Sequence, residues 1–70
     1  MPELEALAQN VKAIRKELGE TQLEFALNCG LSKDEICHIE KQRANPKFST
    51  VQNIAAYTGL TFEDLIKKGD

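Results

Sequence analysis

Between Ser32 and Lys47 the chain sets four basic side chains, Lys33, Lys41, Arg43 and Lys47, against three acidic ones, Asp34, Glu35 and Glu40, with His38 and Asn45 among them. Lysine and arginine donate hydrogen bonds to phosphate oxygens and to acceptors on base edges, and a neutral imidazole can both donate and accept. The chemistry on offer is recognition of a polyanion, not bond breaking. One histidine, no carboxylates at metal-ligand spacing, no phosphate-cradling glycine loop and no activated nucleophile leave nothing to build an active site from. Cys29 and Cys37 are too few for a disulfide framework and lack the paired spacings of a zinc site. Cys37 and His38 are adjacent, so on a helix their side chains diverge by about 100° and do not share one metal. The expectation is a binding protein with reduced thiols, no metal, no cofactor and no small-molecule substrate.

Two short helical patterns must position that stretch. Leu23, Ala26 and Leu27 repeat at i, i+3, i+4, and Ile36 and Ile39 at i, i+3, with only Gly30 and Leu31 between the two patterns. Each opens with a hydroxyl residue followed three positions later by glutamate, Thr21 with Glu24 and Ser32 with Glu35, the signature of a capping box. Gly30 falls where the first helix must end, and glycine takes the left-handed conformation there without steric cost. Ala26 is small where a bulkier side chain would hold the two axes apart. Such a pair is a helix-turn-helix rather than an antiparallel hairpin.

From about Leu7 to Gly69 the sequence resembles the Cro and lambda-repressor (XRE-like) type of helix-turn-helix domain, through Gln22, Ala26, Gly30, Ile36, Ile39, Glu40 and Pro46 at fixed spacing. The resemblance implies an all-α fold, a compact five-helix bundle with the motif formed by its second and third helices. It implies a DNA-binding transcriptional regulator, a repressor acting as a homodimer on a palindromic operator. It further implies that Arg15 pairs with Glu40 and ties the first helix to the third. Family members often carry glycine where this chain has Gln42. A non-glycine residue in a left-handed cap costs about 1–2 kcal/mol, so either the turn differs or the strain is accepted.

If the motif binds double-stranded DNA, the helix after Ser32 enters the major groove with its N-terminal end near the base edges. With Ile36 and Ile39 turned inward, its outward residues include Lys33, Asp34, Cys37 and His38, the candidate base readers. Lys33 can donate to guanine, Asp34 can accept only from the cytosine amino group, and His38 can do either. The residues matching Lys33, Asp34 and His38 are base readers in the resembled family. Cys37 either touches a thymine methyl or fills space, and His38 is otherwise a solvated surface histidine. Candidate phosphate contacts are Gln22, Ser32, Lys41, Arg43, Asn45 and Lys47. Lys12 and Lys16 are either a solvated face or further phosphate contacts.

Around the motif, Leu4, Leu7, Val11, Ile14 and Leu18 form one apolar stripe on a first helix ended by Gly19. Asn45-Pro46 punctuates a polar connection that includes Ala44, Ser49 with Gln52 suggests a capping box, and Val51, Ile54, Ala55 and Thr58 mark a fourth helix closed by Gly59. Thr61 can cap a last helix that turns Leu65 and Ile66 inward. Phe48, Leu60 and Phe62 are expected in the core, while Tyr57, with Phe62 and Ile66, is the candidate dimer interface.

Seventy residues form one domain over 1–70, small enough that association is expected. No apolar run approaches the roughly 20 residues of a membrane span and no signal peptide is evident, so the expected location is cytoplasmic. Net charge is −2 with a pI near 5.3, which argues mildly against nucleic acid as a partner, although phosphate binding depends on the charge of one face rather than on the total. The acidic balance and Asp34 keep a second function open, a helix-turn-helix used as a protein-binding adaptor or antitoxin-like partner.

Overall fold

Five helices make up the secondary structure of the described residues, 2–43 and 45–68 of a computed structural model: α1 (Pro2–Glu17), α2 (Gln22–Cys29), α3 (Lys33–Glu40), α4 (Phe48–Thr58) and α5 (Phe62–Ile66). Ala44 of the polar connection and Gly69 at the end of the resemblance lie outside the described residues. Among the described residues no helix is long and apolar enough to cross a membrane.

Local chemistry accounts for the helix boundaries. Glu3 and Glu5 in the first turn of α1, with Arg15 and Lys16 in its last, complement the helix dipole. Thr21 and Ser32 close full capping boxes with Glu24 and Glu35, and Thr61 does the same with Asp64 at α5. The backbone N–H bonds that hold Glu24 and Asp64 in these boxes keep both carboxyls below the ordinary carboxylate range. α1, α2 and α3 end in one way. A long bond runs from Glu20 to the carbonyl of Arg15 (3.1 Å), from Leu31 to Ala26 (2.8 Å) and from Arg43 to His38 (2.9 Å), each over a shorter one, the double bond of a Schellman motif. The left-handed residue is Gly19 (φ 71°) in the first and Gly30 (φ 74°) in the second, but Gln42 (φ 58°) in the third. The turn after α3 is therefore kept and its strain accepted.

α4 starts earlier than its hydroxyl signal suggests. Lys47, in extended conformation, is the N-cap and makes no side-chain cap bond, so Ser49 lies inside the first turn and forms no capping box with Gln52. Phe48 then stands at the first helical position, on the rim, where it is 62% exposed and its ring stacks on Phe62 at 5.1 Å. Leu60, in the turn after Gly59, is also exposed. Neither is a core residue; of the three expected there, only Phe62 packs against the core.

Val11, Phe25, Ile36, Ile54 and Leu65, one from each helix, are the largest fully buried side chains. The core thus draws on every element, and two of its expected stripes are displaced. α2 buries Phe25, Ala26 and Cys29, while Leu23 and Leu27 are 50% and 67% exposed. Five of its eight residues are apolar, and the face that wins carries the largest ring, set edge-on to Tyr57 at 5.6 Å. On α1, Leu7 and Val11 are buried with Ala6 and Ala8, but Leu18 is half exposed because the helix stops at Glu17 and Gly19 turns the chain away. Asn10, which no periodicity singles out, donates from α1 to the carbonyls of Leu65 (2.7 Å) and Lys67 (2.8 Å), satisfying the C-terminal end of the five-residue α5.

Candidate nucleic-acid interface

α3 is amphipathic across its width. Ile36 and Ile39 are buried, Cys37 is half-buried, and Lys33, Asp34 and His38 are exposed together on the outer side. In the connection after α3, Lys41, Arg43, Asn45 and Lys47 are exposed. An open groove of about 560 Å³ runs along the flank of α3 and brings His38 beside Asn45 and Lys47, with Ser49 and Asn53 of α4 forming its far wall. Ser49 and Asn53 were not legible as groove residues, because their positions depend on where α4 begins and how it crosses α3.

The acidic side chains of this stretch are mostly engaged inside the protein. Glu35 folds back on the N-terminus of α3: its Oε1 accepts from the Ser32 N–H and hydroxyl (3.1 Å each), and its Oε2 accepts from the Thr50 hydroxyl (3.4 Å). Glu40 accepts from Arg15 Nε at 2.7 Å and from Arg15 Nη2 at 3.0 Å, with the two side chains 5% and 13% exposed. The bond from Glu40 raises the Arg15 pKa above its ordinary value. A third guanidinium N–H, on Nη1, reaches the Glu20 carbonyl at 3.0 Å, so Arg15 joins α3 to the turn between α1 and α2. Asp34 is the one carboxylate of the three for which the described residues supply no such partner. Arg15 neutralises Glu40, whereas Glu35 is bonded only to neutral donors and keeps its charge in the lining of the groove, so the exposed Lys33, Lys41, Arg43 and Lys47 stand against Asp34 and Glu35 on a chain of net charge −2.

Two candidate phosphate ligands are less free than the rest. The Ser32 hydroxyl proton is donated to Glu35, so Ser32 acts first as a cap and can reach a phosphate only by releasing that bond. Gln22, half-buried at the start of α2, donates through Nε2 to Glu40 Oε1 at 3.2 Å. One of its two amide hydrogens remains.

The two cysteines differ. Burial, with the charge of Glu20 adding to it, pushes the Cys29 thiol up to about 11, while Cys37 stands half-exposed on α3. Of the three candidate interface residues, Phe62 and Ile66 line an apolar groove of about 410 Å³ with Leu4, Leu7, Phe48 and Val51. Tyr57 lies elsewhere. Its hydroxyl donates to Glu20 Oε2 and accepts from Asn28 at 3.2 Å, and its ring packs on Phe25.

Comparison with known proteins agrees with this geometry. A helix-turn-helix family model matches residues 11–65. Over 60 residues, 86% of this chain, the sequence is 35% identical to the immunity repressor protein of Bacillus phage phi105, of which it covers 42%. Over 60 residues it is 32% identical to a hypothetical transcription factor of Neisseria meningitidis serogroup B, of which it covers 57%. The chain thus spans about half the length of these curated relatives. The crystal structure of a hypothetical transcription factor from Neisseria superposes with a TM-score of 0.85 at 29% identity, covering 93% of this chain and 75% of that one.

Proposed function

Since the chain belongs to the helix-turn-helix family of the Cro and lambda-repressor (XRE) type, we propose that it is a sequence-specific DNA-binding transcriptional regulator that represses from a palindromic operator as a homodimer. Family membership makes it a binding protein and not an enzyme. The observation that carries the proposal is the outer side of α3 with the connection after it, where pairing of Glu40 with Arg15 leaves four exposed cations, Lys33, Lys41, Arg43 and Lys47, in excess over Asp34 and Glu35. Lys33, Asp34 and His38 read base edges, with Cys37 beside them. Lys41, Arg43, Asn45 and Lys47 hold one phosphate strand, Gln22 holds the other side of the groove, and Ser32 serves as the cap. Two copies place their α3 helices about 34 Å apart, one turn of DNA. The second copy sits on the apolar groove of Phe48, Phe62 and Ile66. Asn45 and Pro46 line both this groove and the one beside His38, so the dimer contact adjoins the basic face.

Selection of bound sites from a random duplex pool tests the proposal, and an inverted repeat is the expected product. Each phosphate neutralised contributes about −0.9 to the slope of log affinity against log salt, so Lys41, Arg43 and Lys47 give about −3 per protomer. The adaptor alternative draws on Leu23 and Leu27, one helical turn apart and exposed on α2. A slope near zero, or no binding at low salt, favours that alternative.

A further inference from the structure

We propose that Asp34 sets specificity by exclusion: it weakens binding to DNA in general and spares only sites that present a cytosine under the N-terminal end of α3. The inference deepens the DNA-binding reading of this face and rests on it. Asp34 is the second residue of α3, exposed on the outer side with Lys33 and His38. Beyond complementing the helix dipole, its carboxylate does nothing for the fold. The cap of α3 is complete without it, since the Ser32 hydroxyl accepts from the Glu35 N–H at 3.2 Å and Glu35 Oε1 accepts from the Ser32 N–H at 3.1 Å. Among the described residues the one ion pair is Arg15 with Glu40, so neither Lys33, next in sequence, nor His38, one turn away, neutralises Asp34. A free carboxylate therefore stands beside Lys33 on the side that would meet a polyanion.

A carboxylate can only accept hydrogen bonds. In the major groove guanine offers two acceptors, thymine an acceptor and a methyl group, and adenine an amino donor beside an acceptor; cytosine alone offers a donor with no acceptor of its own next to it. Facing guanine or thymine, Asp34 is desolvated without a partner, and the phosphates of every sequence repel it as well. Facing cytosine, it recovers one charge-assisted bond. Asp34 thus lowers affinity and raises selectivity, a combination that a cation in its place would not give.

Sites selected from a random duplex pool by the wild-type chain and two variants test the inference. The wild-type sites are expected to carry a near-invariant cytosine at one position of the half-site. Asp34→Asn should replace it by adenine, because an asparagine amide bonds adenine N6 and N7 together, and Asp34→Ala should level the preference at that position alone. Changing the selected cytosine to thymine should weaken wild-type binding roughly tenfold and hardly affect Asp34→Ala. Both variants should bind a random-sequence 20-base-pair duplex several-fold tighter than wild type at low salt, where repulsion is least screened, with melting temperatures nearly unchanged. Wild-type sites without the cytosine, or variants that select the wild-type site unaltered or bind the random duplex no better, would overturn the inference with the DNA-binding reading intact. Failure of all three proteins to bind any duplex would overturn both.

Discussion

α2 and α3 are built alike and used differently. Each has eight residues, opens on a capping box and ends in a left-handed residue. α3 segregates its residues, aliphatic inside and charged outside, so its inner and outer faces can be told apart from KDEICHIE alone. α2, QLEFALNC, is apolar on nearly every side, and only packing decides that Phe25 goes in while Leu23 and Leu27 stay out. On the proposed function the difference separates two tasks: α2 is a strut whose burial holds the motif together, and α3 is a strut on one side and the proposed reading surface on the other.

That division sets an order of effects for substitution. Phe25→Ala should cost about 3–5 kcal/mol by cavity formation, while Leu27→Ala on the same helix should change stability by no more than about 0.5 kcal/mol. Comparable losses in chemical denaturation would mean that α2 buries its leucine face after all. Arg15→Met strands Glu40 in a nearly closed site, and about 3–5 kcal/mol is the expected loss, against roughly 0.5 kcal/mol or less for the neighbouring exposed Lys16→Met. Equal melting shifts for the two would remove the structural role of the pair.

The two helix ends allow a finer contrast. Gln42→Gly relieves a left-handed side chain and should stabilise by about 0.5–1 kcal/mol after the added flexibility of the unfolded chain is deducted. Gly30→Ala should destabilise by about 1–2 kcal/mol from backbone strain alone, because an added Cβ meets nothing nearer than Asn53 Nδ2 at 3.9 Å. If neither melting temperature moves, the two turns are not the equivalent structures described above.

Acid gives the smallest effect. The carboxyls of Glu24 and Asp64 are held low in the folded state, so their contribution is present above the unfolded carboxylate range and is lost as pH falls through their lowered folded values. Glu24→Gln with Asp64→Asn, which keep an acceptor for the Thr21 and Thr61 N–H groups but do not titrate, should flatten that limb of the stability profile. An unchanged acid limb would remove the two boxes from it.

What the residues revealed on their own follows the same line. The capping boxes at Thr21 and Ser32, the cap at Thr61 and the stop at Gly30 were legible, because caps are local chemistry read over four residues. So was the buried pair Ile36 and Ile39. The inward side of α2, the exposure of Leu18, Phe48 and Leu60, and the turning of Tyr57 toward Glu20 and Asn28 were not, since each depends on which of several apolar groups meets a distant helix. Ser49 shows the limit of a local signal. Its S-x-x-Q pattern is a genuine cap motif, but α4 already begins at Phe48. On the candidate interface, residue types showed which side chains can donate and the resemblance implied the Arg15–Glu40 pair; the bonds from Thr50 to Glu35 and from Gln22 to Glu40 needed the fold.

Titration of the labelled protein with duplex, followed by backbone amide shifts, tests most directly whether the outer side of α3 is the reading surface. The amides of Lys33, Asp34, Cys37 and His38 should move most, with Leu27, toward the C-terminal end of α2, nearly still. Shifts centred on Leu27, or none on α3 at saturating DNA, would contradict it.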